Sequence, residues 1–96
     1  MSHCCYILHS KQLDRFYIGY TSDLKKRLDF HKTSSADKYT YNGKDWELYF
    51  SIACENKAQA LAIEAHIKRM KSKKYILNLV KYPELVSKLL IRYKDG

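Results

Sequence analysis

The sequence has 96 residues, and 18 Lys and Arg against 10 Asp and Glu give it a formal net charge of +8. Its length suits one domain, 1–96, and its 46% hydrophobic residues with only 3 Gly and 1 Pro argue against a disordered, collagen-like or low-complexity chain. The positive charge favours a polyanionic partner, nucleic acid ahead of an anionic membrane surface, although a charge of this size is also ordinary for solubility alone.

Two β-strands are predicted at the start of the chain, over residues 4–9 and 15–20. Both segments are rich in β-branched, aromatic and other apolar residues, and the polar residues between them are typical of a turn. The first segment also contains the longest apolar run, Cys4 to Leu8, which is far shorter than the ~20 residues of a membrane-spanning helix. We therefore expect a cytoplasmic protein without a membrane partner.

The register of this hairpin decides which side chains become neighbours. If the turn is formed by Lys11 and Gln12, Tyr6 lies directly opposite Tyr17 and the two side chains share a face. Gly19, further along the second strand, indicates the close approach of another backbone or of a ligand. The alternative is a simple bend at the edge of the sheet.

The cysteines indicate a reducing compartment, because their number is odd and Cys4 is directly followed by Cys5. Neighbouring cysteines have poor geometry for a mutual disulfide. The sequence His3-Cys4-Cys5 also lacks the two-residue spacer of the usual zinc knuckle, so we expect no zinc site there.

A first helix is predicted to begin at Thr21 to Asp23, with a hydroxyl cap and a carboxylate in the first turn, and to end at about Lys32. Arg27 lies on the margin of its buried face, four residues before His31 on the same side. A guanidinium in this position can hold a phosphate through its planar fork. The alternative is an arginine that extends into solvent beside a hydrogen-bonded core histidine.

The middle of the chain is predicted as a loop over residues 33–44, a third strand over 46–53 and a second helix. Asn56 is expected to cap that helix, which runs to about Lys71. The spacing of the apolar residues gives this helix a buried stripe of Ala60, Ile63, Ile67 and Met70.

A shorter helix is expected after Ser72, and a last helix begins at Pro83, since proline is tolerated in a first turn. Three strands and about four helices predict an α+β fold, in which a small three-stranded antiparallel sheet is flanked by helices. The apolar positions expected on the last two helices are Ile76, Leu77, Val80, Leu85 and Leu89.

Glu64 lies at the edge of the apolar stripe of the second helix, among lysines of the same helix. A carboxylate in such basic surroundings can bind a hard divalent cation such as Mg²⁺, which prefers oxygen ligands. The alternative is an i,i+4 surface ion pair with Lys68, worth only ~0.2–0.5 kcal/mol.

One ordered set of residues carries most of the information about function. Cys4-Cys5-Tyr6 and Tyr17-Ile18-Gly19 on the two strands are followed by Arg27 and His31 on the next helix and by Glu64 on a later one. This order resembles the GIY-YIG nuclease domain family, which includes small stand-alone bacterial proteins, the incision domain of excision repair and branched-DNA endonucleases.

The resemblance covers about residues 4–80 and leaves 81–96 as a C-terminal helix. The fold that it implies, a three-stranded antiparallel sheet flanked by helices, agrees with the one expected from the residues. The chain departs from the family pattern before Tyr6, where Cys4-Cys5 stands in place of Gly-Ile.

The resemblance also implies a role for each matching residue. Tyr17 deprotonates the attacking water or relays its proton, and Tyr6 helps to orient the water and the phosphate. Arg27 stabilises charge on the scissile phosphate with support from His31. Glu64 is the single protein ligand of a Mg²⁺ or Mn²⁺ ion. The implied function is a metal-dependent endonuclease that hydrolyses DNA phosphodiester bonds, structure-directed in repair or recombination.

The basic stretch 66–74 is expected to contact phosphates on either side of the cleaved bond, although a solvated helix end explains its cations equally well. DNA is expected ahead of RNA, and a protein partner is one source of specificity. The alternative function is a non-catalytic nucleic-acid-binding module with the same fold, and the oligomeric state stays open. The cations expected to bind phosphate are Lys68, Arg69, Lys71, Lys73 and Lys74.

Overall fold

The computed structural model describes residues 3–33 and 46–95. For residues 29–33 it describes the backbone only. The predicted α+β class is confirmed, with three strands and four helices in these ranges. The elements are β1 (His3–Ser10), β2 (Arg15–Thr21), α1 (Leu24–Thr33), β3 (Glu47–Cys54), α2 (Lys57–Met70), α3 (Lys73–Lys81) and α4 (Pro83–Arg92).

The sheet is antiparallel with the strand order β2-β1-β3, so β1 is its central strand. This position explains why β1 contains an uninterrupted apolar run rather than an alternating one. A strand that is covered on both faces needs apolar side chains on both. Tyr6, Ile7 and Leu8 are each only 1% exposed.

The turn between β1 and β2 is longer than expected. Ser10 pairs with Arg15, so four residues form the connection instead of Lys11 and Gln12 alone. The Ser10 hydroxyl oxygen accepts a hydrogen bond from the backbone N–H of Leu13 at 3.1 Å. Asp14 then closes the turn in the left-handed region, with φ of 49°.

The longer turn shifts the register of the hairpin by two residues. Tyr6 pairs with Gly19 and Tyr17 pairs with Leu8, so the expected direct pairing of Tyr6 with Tyr17 is wrong. Because side chains alternate along a strand, a shift of two leaves both tyrosines on the same face. We call this the tyrosine face, and it contains Tyr6, Tyr17, Gly19 and Thr21.

Side chains fix the beginnings of the helices. Asp23 lies just before α1, and its carboxylate accepts from the backbone N–H of Lys26 at 3.2 Å, so it caps the helix instead of lying in the first turn. The Asn56 side chain accepts from Gln59 N–H at 2.8 Å, which confirms the predicted cap of α2. Pro83 is the first residue of α4, as predicted.

The hydrophobic core lies between the other face of the sheet and the helices α2, α3 and α4. We call this the helical face, defined by Cys5, Ile7 and Ile52 of the strands. The helical residues buried against it are Ile63 and Ile67 of α2, Ile76 and Leu79 of α3, and Leu89 of α4.

Three apolar residues of the helices are largely exposed: Met70, from the expected buried stripe, at 44%, Leu77 at 43% and Val80 at 42%. Met70 is the last residue of α2, and the chain turns away at Lys71, whose φ is 45°. Helix α3 is buried through Ile76 and Leu79, which lie three residues apart on one face of the helix. Leu77 and Val80 directly follow them in the sequence and therefore lie on a different face.

Residues 34–44 of the expected loop lie outside the described residues, and Thr33 is the last residue of α1. Within the ranges that the structure describes, no helix is long and apolar enough to cross a membrane.

Candidate active site

Tyr6 and Tyr17 lie side by side on the tyrosine face, with 6.2 Å between their ring centroids. The ring of Tyr6 crosses directly over Gly19. A Cβ atom at position 19 would lie 2.6 Å from Tyr6 Oη and 2.7 Å from Tyr6 Cζ. The glycine therefore makes room for the side chain of Tyr6, a neighbour that differs from the backbone or ligand expected from the sequence.

The two tyrosines differ in their access to solvent. Tyr6 is on the central strand and is 1% exposed, whereas Tyr17 is half-buried on the edge strand β2. A group that takes a proton from a solvent water must be reachable. Tyr17 is therefore suited to proton transfer, and Tyr6 is suited to supporting the ring of Tyr17.

Arg27 lies at the end of the tyrosine face. With Thr21, Asp23 and Lys26 it lines an open cleft of about 410 Å³. Thr21 alternates with Tyr17 and Gly19 along β2, so the cleft and the tyrosines are on the same side of the sheet. The fold thus brings Arg27 to the tyrosine face, while the His31 side chain lies outside the described residues.

Glu64 is on α2 and is mostly buried, with 19% of its side chain exposed. Its Oε1 atom lies 3.7 Å from Nζ of Lys68, whose side chain is 55% exposed. The ion pair that the sequence allowed as an alternative is therefore present. Lys68 has one end in solvent and can leave the carboxylate at low cost.

The helix that carries Glu64 packs on the helical face. Ile63 and Ile67 of α2 share the core with Cys5 and Ile7 of β1. Tyr6 lies between those two strand residues in the sequence, so its side chain points to the opposite side of the sheet. The predicted site residues are thus divided between the two faces.

Cys5 on the helical face is influenced by the charge of Glu64. Burial raises the pKa of the Cys5 thiol far above its ordinary range, and the nearby Glu64 carboxylate raises this pKa further, with Lys68 opposing it. Tyr17 lies on β2, which is an edge strand of the sheet.

Comparisons with known proteins show which family this chain is related to. A model of the GIY-YIG catalytic domain matches residues 2–76. The chain belongs to the GIY-YIG family. Membership confirms the resemblance seen in the sequence, and it indicates a nuclease-type function and nucleic acid binding.

Several relatives of this GIY-YIG protein are small bacterial proteins. UPF0213 protein YsiG of Lactococcus lactis is 35% identical over 79 residues, which cover 82% of this chain and 75% of the relative. UPF0213 protein YazA of Bacillus subtilis is 33% identical over 73 residues, 76% of this chain and 73% of the relative. The solution NMR structure of UPF0213 protein BH0048 from Bacillus halodurans matches with a TM-score of 0.53 and 31% identity over 84% of each chain. These names state no specific activity.

GIY-YIG nucleases generally depend on a divalent metal, so the ligands available here matter. In the described ranges, 3–33 and 46–95, no three or more His, Cys, Asp or Glu side chains form a metal-binding group. Glu64 offers one carboxylate. One carboxylate fits a hard cation that retains most of its waters, as Mg²⁺ does.

The cations expected to bind phosphate separate into two groups in this GIY-YIG domain. Lys68, Lys71 and Lys73 line a cleft of about 270 Å³ between β2 and the junction of α2 with α3. Lys74 is exposed. The guanidinium of Arg69 donates a hydrogen bond to Tyr93 Oη at 3.4 Å. Sequence reasoning missed two further charged residues of the cleft, Asp14 and Arg15, because they come from the distant β1–β2 hairpin.

A cluster around His66 was also missed. Its Nδ1 atom lies 2.9 Å from Tyr93 Oη and its Nε2 atom lies 3.1 Å from Tyr75 Oη, so one ring nitrogen donates and the other accepts. Burial lowers the pKa of His66, and the positive charges of Arg92 and Arg69 lower it further. The neutral imidazole thus joins α2 to α3 and to the end of α4.

Proposed function

We propose that this GIY-YIG domain is an endonuclease that hydrolyses phosphodiester bonds in DNA, with Mg²⁺ or Mn²⁺ as its cofactor. The observation that carries the proposal is the pair of Tyr6 and Tyr17, held beside Gly19 on the face that ends at the Arg27 cleft. Family membership and the net charge of +8 support it.

The two tyrosines have different roles. Tyr17, half-buried on the edge strand, takes a proton from the attacking water or relays it. A phenol has an ordinary pKa of ~10, so this role needs a nearby positive charge that favours the phenolate. Tyr6 holds the ring of Tyr17 in place from the core of the sheet and is a positioning residue.

Arg27 and Glu64 act on the phosphate from two sides of the β2 edge. The guanidinium of Arg27 binds a non-bridging phosphate oxygen and stabilises the charge that develops there, with His31 in support. Glu64 would hold the cation through one carboxylate oxygen, in place of its ion pair with Lys68. A divalent ion held there would supply positive charge that offsets the charge of the phosphate and of the leaving oxygen.

The substrate is recognised through its backbone and shape. Lys68, Lys71 and Lys73 contact phosphates near the cleaved bond, and Arg69 and Lys74 add to the positive field around them. Such contacts read no sequence, so we place the enzyme on branched or damaged DNA in repair or recombination, in the cytoplasm. A protein partner supplies any further specificity.

One pair of observations favours a second candidate, a non-catalytic nucleic-acid-binding module. Glu64 is paired with Lys68, and its helix packs on the face opposite Tyr6 and Tyr17. A chain in which these groups stay apart binds nucleic acid through its cations without hydrolysing it.

The experiment that tests the proposal is a nicking assay. Supercoiled, flapped and branched DNA and a structured RNA are incubated with the protein in Mg²⁺, Mn²⁺ or EDTA. We expect cleavage of DNA with either metal and none in EDTA. Tyr17→Phe and Glu64→Gln are expected to lower the rate by a factor of about 100 or more, in the range of general acid–base contributions.

Matched controls keep the assay specific. Tyr82→Phe and Glu84→Gln make the same chemical changes at exposed positions and should retain the wild-type rate. If Tyr17→Phe and Glu64→Gln both cleave as fast as the wild type, the assigned roles are wrong. If the wild type cleaves nothing but binds DNA with a steep salt dependence, the binding module is the correct function.

A further inference from the structure

A cleft outside the tyrosine face brings together cations from distant parts of the chain. Arg15 comes from the start of β2, Lys68 from α2, Lys71 from the end of that helix and Lys73 from the start of α3. The lining also includes apolar side chains of β2, α2 and α3. Four positive charges around about 270 Å³ form a local field that attracts an anion with several oxygens.

Asp14 is the single acidic residue among the described residues that line this cleft. Its two carboxylate oxygens lie 2.7 and 2.9 Å from Nζ of Lys73, across 59 residues of sequence. His9 Nε2 lies 3.6 Å from the same carboxylate. The hydrogen bond and charge of Lys73, and to a lesser extent His9, hold the pKa of Asp14 below its ordinary value.

The Asp14–Lys73 pair is in water, since 67% of the Asp14 side chain and 53% of the Lys73 side chain are exposed. Exposed ion pairs exchange partners at little cost. The carboxylate presents two oxygens to the ammonium group in the way that two non-bridging oxygens of a phosphate would. A phosphate in the cleft would meet Lys73 together with the other cations that line it, of which Lys68 is also paired with Glu64.

We propose that this cleft binds a backbone phosphate of a nucleic acid and that Asp14 holds Lys73 until the phosphate displaces it. The inference rests on the nucleic-acid binding that is part of the proposed function, and it does not depend on cleavage. Asp14 is thus an internal competitor for the nucleic acid, located in the β1–β2 turn.

The variant that tests this contact is Asp14→Asn. Asparagine has nearly the same shape and accepts the left-handed backbone at φ 49° more readily than most residues, so the turn is retained. The change leaves Lys73 available to a phosphate. Asp95→Asn is the matched control, because it changes the net charge equally at an exposed position after α4 that does not line the cleft.

Affinity is measured by fluorescence anisotropy in EDTA over a series of KCl concentrations. The probes are a labelled DNA duplex and an RNA duplex of the same sequence, which separate the two sources of backbone phosphate. One additional phosphate contact steepens the salt dependence by about 0.9 in log Kobs against log[salt]. We therefore expect Asp14→Asn to bind about 3- to 10-fold more tightly than the wild type near 0.1 M salt. Asp95→Asn should change affinity less than about 2-fold.

The effect of Asp14 must depend on Lys73. In a Lys73→Met background, Asp14→Asn is expected to lose most of its effect, because the side chain that it would release is absent. If Asp14→Asn binds no more tightly than Asp95→Asn, or tightens binding equally in the Lys73→Met background, the inference is wrong.

The outcomes also separate this inference from the proposed enzyme. If the wild type cleaves DNA but Asp14→Asn binds with unchanged affinity, the inference about Asp14 is wrong and the proposed endonuclease activity stands. If Asp14→Asn binds nucleic acid more tightly but the wild type cleaves nothing, the proposed endonuclease activity is wrong and the cleft is still a phosphate site.

Discussion

On the helical face of the sheet, Ile63, Ile67 and Leu79 fill the space against Ile7 with aliphatic side chains from two helices. On the tyrosine face, the ring of Tyr6 lies across Gly19 at a distance that leaves no room for one more carbon atom. The first face is filled by aliphatic side chains, and the second includes a contact that tolerates no added volume. Central strand β1 contributes to both through alternate residues.

This difference indicates how stability and function are divided in the domain. An aliphatic core tolerates exchanges that keep its total volume, and truncation there costs stability in proportion to the cavity created. The tyrosine face holds hydroxyl groups in fixed positions, and a small increase in volume at one position disturbs them. Substitutions on the two faces should therefore differ in what they change first.

The largest expected loss of stability is on the helical face. Ile63→Ala removes a side chain that is 0% exposed, and we expect it to lower the free energy of unfolding by about 2–5 kcal/mol. Urea denaturation measures this loss. The exposed Leu61→Ala, on the same helix, should change stability by no more than about 0.5 kcal/mol. Loss of nucleic-acid binding by folded Ile63→Ala protein would contradict the division between the faces.

A smaller loss of stability with a larger loss of function is expected for Gly19→Ala. The new methyl group overlaps Tyr6 Oη and Cζ, which costs about 1–3 kcal/mol and displaces the ring. Thermal denaturation and the nicking assay measure the two effects. Ser51→Ala, opposite Tyr6 on β3, is the control. In the Tyr6→Leu background, Gly19→Ala should cost clearly less, and an unchanged cost would show that the ring is not its cause.

The next effect appears only when the pH is lowered. Because burial depresses the pKa of His66 below its ordinary 6.5, the unfolded state binds a proton more readily than the folded state. Stability is therefore retained above about pH 6.5 and falls as the pH decreases below it. His66→Gln cannot be protonated, so its melting temperature should approach that of the wild type as the pH falls. A constant difference between the two would contradict the assignment.

The smallest effect concerns two adjacent thiols. Cys4 lines an open cleft of about 500 Å³ on the tyrosine face, whereas Cys5 is 0% exposed on the helical face. Burial raises the pKa of both thiols, and Glu64 raises that of Cys5 further. We expect alkylation of the native protein, followed by mass spectrometry, to label Cys4 before Cys5. Equal labelling rates would show that the two faces do not differ in access.

Much of the fold was predictable from local chemistry. Asn56 and Pro83 mark helix beginnings because a side-chain acceptor and a fixed φ suit those positions regardless of the rest of the chain. The strands follow from runs of β-branched and aromatic residues. The candidate site residues were recognisable by their order along the chain, and their catalytic roles stay predictions.

The errors arose from the geometry of one turn and from contacts between residues distant in the sequence. The register depends on a left-handed Asp14, which the sequence of the turn does not specify. The exposure of Leu77 and Val80 depends on how α3 meets the sheet. The position of Glu64 on the side opposite Tyr6 follows from the packing of α2 and could not be read from spacing.

The contact between Gly19 and Tyr6 also sets the order in which this hairpin can change over generations. Loss of the tyrosine ring needs no accompanying change at position 19, because glycine leaves room for a shorter side chain at position 6. A larger residue at position 19 is acceptable only after that loss. Once a larger residue occupies position 19, tyrosine cannot return at position 6 in one step, because its ring would overlap the new side chain.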